Sequence, residues 1–204
     1  MTTPNSWYSL LSCDLAKQAR TRMSQNTDLL YHNWNHIERC VWHAYHTFGF
    51  DFDLYLGKSV LTHDVIYDGL QNAEWRSAQW LLDTDGRTAE NIVAVEHIMR
   101  TAGHALSEDN RMVMLDLGDF LYPTRIYQNF HAVVNESLRL YDASYQEVLD
   151  AGQDYMTKMQ QKYGDNALAD LPLLDRFVFL QIRQGIESVL GLYEKARKGN
   201  VTND

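Results

Sequence analysis

The chain has 204 residues, 45% of them hydrophobic, and a formal net charge of −9. That length and apolar content suffice for a packed core and exclude a mainly disordered chain. The excess of acids argues against duplex nucleic acid as a partner, because such proteins set several cations against phosphates; the largest basic group here is only Lys195-Ala196-Arg197-Lys198.

A small anionic partner is still compatible with this charge, since a bound cation can supply the positive field locally. Cys13 and Cys40 are too few for a disulfide framework. With no secretory leader and no apolar run long enough to cross a bilayer, the expectation is a cytoplasmic protein that makes no membrane contact.

Taken in order, residues 1–5 read as a loose tail. From Trp7 to Met23, Leu10, Leu11 and Leu15 share a helical face with Trp7. A polar break, Ser24 to Asp28, precedes the Asn-rich segment Tyr31 to His36, which leads into a helix from His36 to Phe48 stopped by Gly49. Leu54, Leu56, Val60 and Leu61 then carry a helix to His63-Asp64, and Gly69 closes the loop after it.

Ala73 to Leu82 reads as a short helix ending near Asp85-Gly86. Thr88 is placed to cap another, with Ile92, Val95, Ile98 and Met99 expected to face inward. After the loop Ser107 to Asn110, Met112 to Leu121 forms a helix stopped by Pro123. Tyr127, Phe130, Val134, Leu138, Tyr141, Tyr145 and Val148 recur every three or four residues, which predicts one long amphipathic helix, bent at Gly152 and ending at Tyr163-Gly164. Asp170-Leu171-Pro172 opens a last amphipathic helix over about 172–198. No strand alternation appears, so the expected fold is all-α, a single domain spanning 1–204 with its core over about 25–165.

The chemistry concentrates around Thr62-His63-Asp64-Val65-Ile66-Tyr67-Asp68. Neighbours on a helix point about 100° apart, so His63 and Asp64 do not pack against one partner, yet both can reach one ion at the helix end. Upstream lies Tyr31-His32-Asn33-Trp34-Asn35-His36-Ile37. Downstream lie Glu74-x-x-Ser77-Ala78, Ile98-x-x-Thr101-x-x-His104 and Asp116-Leu117-Gly118-Asp119.

This His…His-Asp…Asp order, with these flanking elements, resembles the HD-domain superfamily of metal-dependent phosphohydrolases, in a subgroup known mainly as predicted enzymes. The resemblance is closest over residues 25 to 121 and implies an HD-type helical bundle. It implies His32, His63, Asp64 and Asp116 as metal ligands, with Asp119, one turn further on, as the alternative last ligand. It also points to Asp68 and Glu74 as catalytic carboxylates, and to Asn33, His36, Asn72 and His104 as substrate contacts.

Two imidazoles and two carboxylates suit a divalent Mn, Co, Ni, Fe or Zn ion, with Mg less at home because it prefers an all-oxygen shell. The implied activity is hydrolysis of a small phosphorylated metabolite, a nucleotide foremost, by a metal-activated water. A homodimer is compatible with the sequence. Two departures from the subgroup bear on phosphate recognition. Leu29 stands where an Arg is common, and Val134-Asn135-Glu136-Ser137 replaces an Arg-containing element. They keep open a non-catalytic nucleotide-binding module. A di-iron oxygenase using His97 and His104 is a further alternative, although their seven-residue spacing puts them about 10 Å apart in helical rise.

Overall fold

The computed structural model describes residues 4–199; of the expected tail, residues 1–3 lie outside that range. Every regular element among the described residues is helical, and no helix there is long and apolar enough to cross a membrane. The chain divides into two compact units, Met1–Asp116 and Leu117–Asp204, a division that the single-domain reading did not make.

In the first unit the opening helix is two pieces, α1 (Trp7–Leu10) and α2 (Asp14–Met23). Ser6 and Ser9 form a reciprocal capping box that closes a single turn, and Cys13 caps the next start through Sγ, 3.5 Å from the Ala16 amide. Asn33 caps α3 (Trp34–Trp42), which runs into a π-helical turn, His43–Thr47. Gly49 then turns the chain at φ +61, a backbone conformation that disfavours side chains.

Asp53 caps α4 (Leu54–Thr62), and α5 (Ala73–Asp85), α6 (Ala89–Thr101) and α7 (Arg111–Asp116) follow. Ile37, Cys40, Ala44, Leu56, Val60, Leu61 and Ile98 are fully buried together. Each large aliphatic among them contributes about 1.5–3 kcal/mol of transfer free energy.

Helix α6 is rotated from its expected register. Thr88 does cap it, but the buried face is Asn91, Ala94, His97, Ile98 and Thr101, while Ile92 and Met99 are 45% and 40% exposed. Of the inward polar groups, Asn91 and Thr101 are hydrogen-bonded, whereas His97 Nδ1 is buried without such a bond. Asn91 accepts from Lys58 at 2.7 Å and donates to the Gly86 carbonyl at 2.7 Å, and Ser59 donates to the Ala94 carbonyl at 3.1 Å. Apolar periodicity is blind to a face that buries satisfied polar side chains.

The second unit starts with a 3₁₀ turn, Gly118–Leu121, followed by α8 (Pro123–Leu140), α9 (Tyr145–Lys162), α10 (Asp165–Leu168) and α11 (Leu173–Arg197). The long helix expected from the Tyr127 to Val148 stripe is thus interrupted after Leu140. Ser144 and Glu147 form a capping box there, which starts a new helix in place of extending the old one. Phe130, Val134 and Val148 from the stripe are buried with Leu149, Val189 and Tyr193, whereas Tyr127 and Tyr141 are exposed. Gly152 lies within α9 and makes room for the Tyr193 ring, whose hydroxyl would stand 2.2 Å from a Cβ there.

Candidate metal centre

Helix α4 ends at Thr62, and His63 takes the capping position with its amide bonded to the Ser59 carbonyl at 2.9 Å. His63 Nδ1 lies 3.1 Å from the Val60 carbonyl. A carbonyl only accepts, so Nδ1 carries a hydrogen, and Nε2 is the nitrogen that faces the group and would bind an ion in the neutral ring. One residue on, Asp64 is buried, and its Oδ2 has no hydrogen-bond partner.

From α3, His36 Nε2 comes within 3.3 Å of His63 Nε2 and 3.0 Å of Asp116 Oδ1. The remaining separations are 3.7 Å for His36 Nε2 to Asp64 Oδ2, 3.3 Å for His63 Nε2 to Asp64 Oδ2, and 3.5 Å for His63 Nε2 to Asp116 Oδ1. Ligand atoms about 2.0–2.1 Å from one ion stand about 3.0 Å apart at adjacent octahedral corners and about 3.4 Å apart at tetrahedral ones. These donors are therefore spaced like the corners of a coordination shell. Together they form a four-residue group, His36, His63 and Asp64 buried and Asp116 partly so, able to hold a metal ion.

The electrostatics agree. Burial by itself pushes His63 down, but the Asp64 and Asp116 carboxylates outweigh it and hold the imidazole well above its ordinary range. Burial likewise works against ionising Asp116, yet hydrogen bonds from His104, His36 and His63 hold it well below the usual carboxylate range. Asp64 is lowered too, with His63 and His32 offsetting its burial. The two carboxylates thus favour positive charge at the centre, whether on an imidazole or on a bound cation.

The grouped donors differ from the expected ligands at one position. His36, read as a substrate contact, occupies the place assigned to His32. The Asn33 cap puts His36 inside α3, where its ring faces His63 at a centroid distance of 5.3 Å. His32 precedes the helix. Its ring stacks on Tyr67 at 3.8 Å and 14°, and its centroid is 6.2 Å from that of His36. It stands close enough to lower Asp64 but is not one of the four grouped donors.

Asp116, and not Asp119, completes the group. Its second oxygen, Oδ2, is 3.0 Å from His104 Nε2, so His104, expected to contact substrate, pairs with a member of the group. His104 has φ +48, a left-handed conformation that is uncommon outside glycine. Asp119, in the second unit, bonds Arg125 and Asn129 there.

The other expected site residues have different partners. Both oxygens of Asp68 are taken by Arg76, each at 2.6 Å, and the Leu70 amide adds a third bond. Arg76 thereby holds the Asp68 carboxyl below its usual range, which makes it a poor proton donor. Glu74 lies half-buried in the first turn of α5, where an acid suits the helix dipole. Asn33 serves the backbone, accepting from the Asn35 amide at 2.9 Å and donating to the Leu30 carbonyl at 2.8 Å. Asn72 starts α5 at φ +60 and is exposed. His97 is buried and stacked on Tyr55 at 5.5 Å, within 3.8 Å of Asp109.

Sequence reasoning passed over the Arg76 clamp, which closes the loop after His63-Asp64. Cys40 Sγ lies 3.7 Å from His36 Nε2. The Asn33-x-x-His36 spacing was the available signal for the first ligand, because an Asn cap places the third residue after it within the first turn. Comparison of the chain with protein-family models, with curated proteins and with solved structures finds no match.

Proposed function

We propose that the chain is a metal-dependent phosphohydrolase of the HD type, acting on a small phosphorylated metabolite, foremost a nucleotide. The observation that carries this reading is the convergence of His36, His63, Asp64 and Asp116 at coordination spacing inside one group. Their chain order, His…His-Asp…Asp, agrees with the resemblance seen in the sequence.

A bound Mn, Co, Ni, Fe or Zn ion would supply Lewis acidity, lowering the pKa of a water and polarising a phosphoryl oxygen. The chain's own part is to hold that charge and position it. His36 and His63 offer neutral nitrogen donors, while Asp64 and Asp116 offset the cation's charge. The Val60 carbonyl and His104 orient His63 and Asp116 respectively. His32 lies beside the group, half-buried against Tyr67, and is a candidate to hold a proton for a leaving oxygen.

The test is a screen of the stripped and Mn- or Co-reloaded protein against nucleotides, sugar phosphates and a chromogenic phosphomonoester. Asp64→Asn serves as control. Phosphate release that needs added metal and disappears in Asp64→Asn supports the reading. A second reading, a nucleotide-binding module without turnover, draws on Leu29 and Asn135 standing in place of arginines. Stoichiometric metal and nucleotide binding with no hydrolysis of any substrate would favour it.

A further inference from the structure

We propose that Cys40 is a metal ligand of this centre, giving thiophilic divalent ions a His36–His63–Cys40 binding mode beside the carboxylate one. The inference rests on the metal-site reading above and concerns which ion the site selects.

Cys40 lies one helical turn beyond His36 on α3 and is fully buried. Its Sγ is 3.7 Å from His36 Nε2, and that nitrogen is 3.3 Å from His63 Nε2. For a tetrahedral zinc with Zn–N about 2.0–2.1 Å and Zn–S about 2.3 Å, nitrogen corners stand about 3.4 Å apart and a nitrogen–sulfur pair about 3.6 Å apart. The observed separations match both edges.

The donor atoms of His36, Cys40 and His63 form a three-residue group of their own, and the same histidines join Asp64 and Asp116 in the other. Asp64 Oδ2, buried and 3.3 Å from His63 Nε2, faces the same pair of imidazoles.

One imidazole pair thus has a hard flank of carboxylates and a soft flank of thiol. Ligand softness decides which flank an ion takes. Mn²⁺ favours the carboxylates, whereas Zn²⁺, Cd²⁺ and Co²⁺ gain from sulfur. Ligation by Cys40 releases its thiol proton to solvent, since the thiolate is the binding form.

Cobalt titration of the stripped full chain tests this by optical spectroscopy. Thiolate ligation produces a near-ultraviolet sulfur-to-Co²⁺ charge-transfer band besides the visible ligand-field bands. The wild type is expected to show both. Cys40→Ser should lose the charge-transfer band, keep the visible ones, and weaken Zn²⁺ at least tenfold while changing Mn²⁺ less than threefold. Cys13→Ser should keep everything.

Visible bands without a charge-transfer band in the wild type would overturn the role of Cys40 while leaving the metal centre standing. No cobalt binding at all would overturn both. The wild-type spectrum decides without reference to how well any variant folds.

Discussion

Two glycines of α11 test the packing account of the second unit through opposite outcomes in one helix. A Cβ on Gly185 would stand 2.2 Å from the Phe120 carbonyl oxygen and 2.8 Å from Phe120 Cβ, separations that real Cβ atoms essentially never show. The obstacle is backbone, so α11 and the 3₁₀ turn must part by the better part of an ångström. Overpacking of this kind costs about 1–3 kcal/mol, and a rigid obstacle places it at the upper end. Replacing glycine inside a helix returns about 0.8–1 kcal/mol.

Gly185→Ala should therefore lose about 1–2 kcal/mol net. At about 2–4 °C per kcal/mol for a chain of this size, Tm falls by several degrees. Gly191 has nothing within 4 Å of the same position, so Gly191→Ala should gain up to about 1 kcal/mol. Thermal and urea denaturation of the two variants side by side measure this. A Gly185→Ala protein as stable as the wild type would refute the close approach, and a destabilised Gly191→Ala protein would refute the helix argument.

Further predictions concern the centre and its surroundings. His104→Ala should lower metal affinity about 10–100-fold, because Asp116 loses the partner of its second oxygen; unchanged affinity by calorimetry would show that Asp116 is oriented without it. Asp68→Asn should keep full metal content, since Asp68 faces Arg76, and a metal-free variant would contradict that placement. The Asp68 carboxyl is lowered in the folded protein, so its pairing with Arg76 stabilises above the ordinary carboxylate range. That contribution is lost as pH falls through the folded value, and for a pair about a third exposed it amounts to about 0.2–1 kcal/mol. A wild-type minus Asp68→Asn stability difference that grows on acidification would have the wrong sign. Ser144→Ala should lose about 1 kcal/mol by removing the cap that starts α9, and an unchanged urea midpoint would mean the cap is idle.

The all-helical class and the last helix could be read from the sequence because apolar spacing records a helix that packs one face. The 172–198 expectation and the observed Leu173–Arg197 nearly coincide. Periodicity failed where local polar groups decide. The Ser6 and Ser144 capping boxes each start a helix inside a continuous apolar pattern. Helix α6 turned its buried face toward Asn91, whose amide is bonded on both sides there, and His97 is stacked on Tyr55.

At the centre, His63, Asp64 and Asp116 could be named from motif order, since the chain brings them together from helix ends. The choice between His32 and His36 depends on whether α3 starts before or after residue 33, a boundary that motif letters leave unspecified. The pairing of Asp68 with Arg76 was not legible, because nothing in the sequence places Arg76 across the loop from it.

The central claim, that His36 and not His32 completes a two-histidine, two-aspartate metal site, is tested most directly by metal content. His36→Ala and His32→Ala proteins, each checked for helical content by circular dichroism, are stripped with chelator, reloaded with Mn²⁺ or Co²⁺ and assayed for bound metal per chain. His36→Ala is expected to retain little or no metal and His32→Ala to load like the wild type. A metal-free His32→Ala protein beside a fully loaded His36→Ala protein would contradict the account.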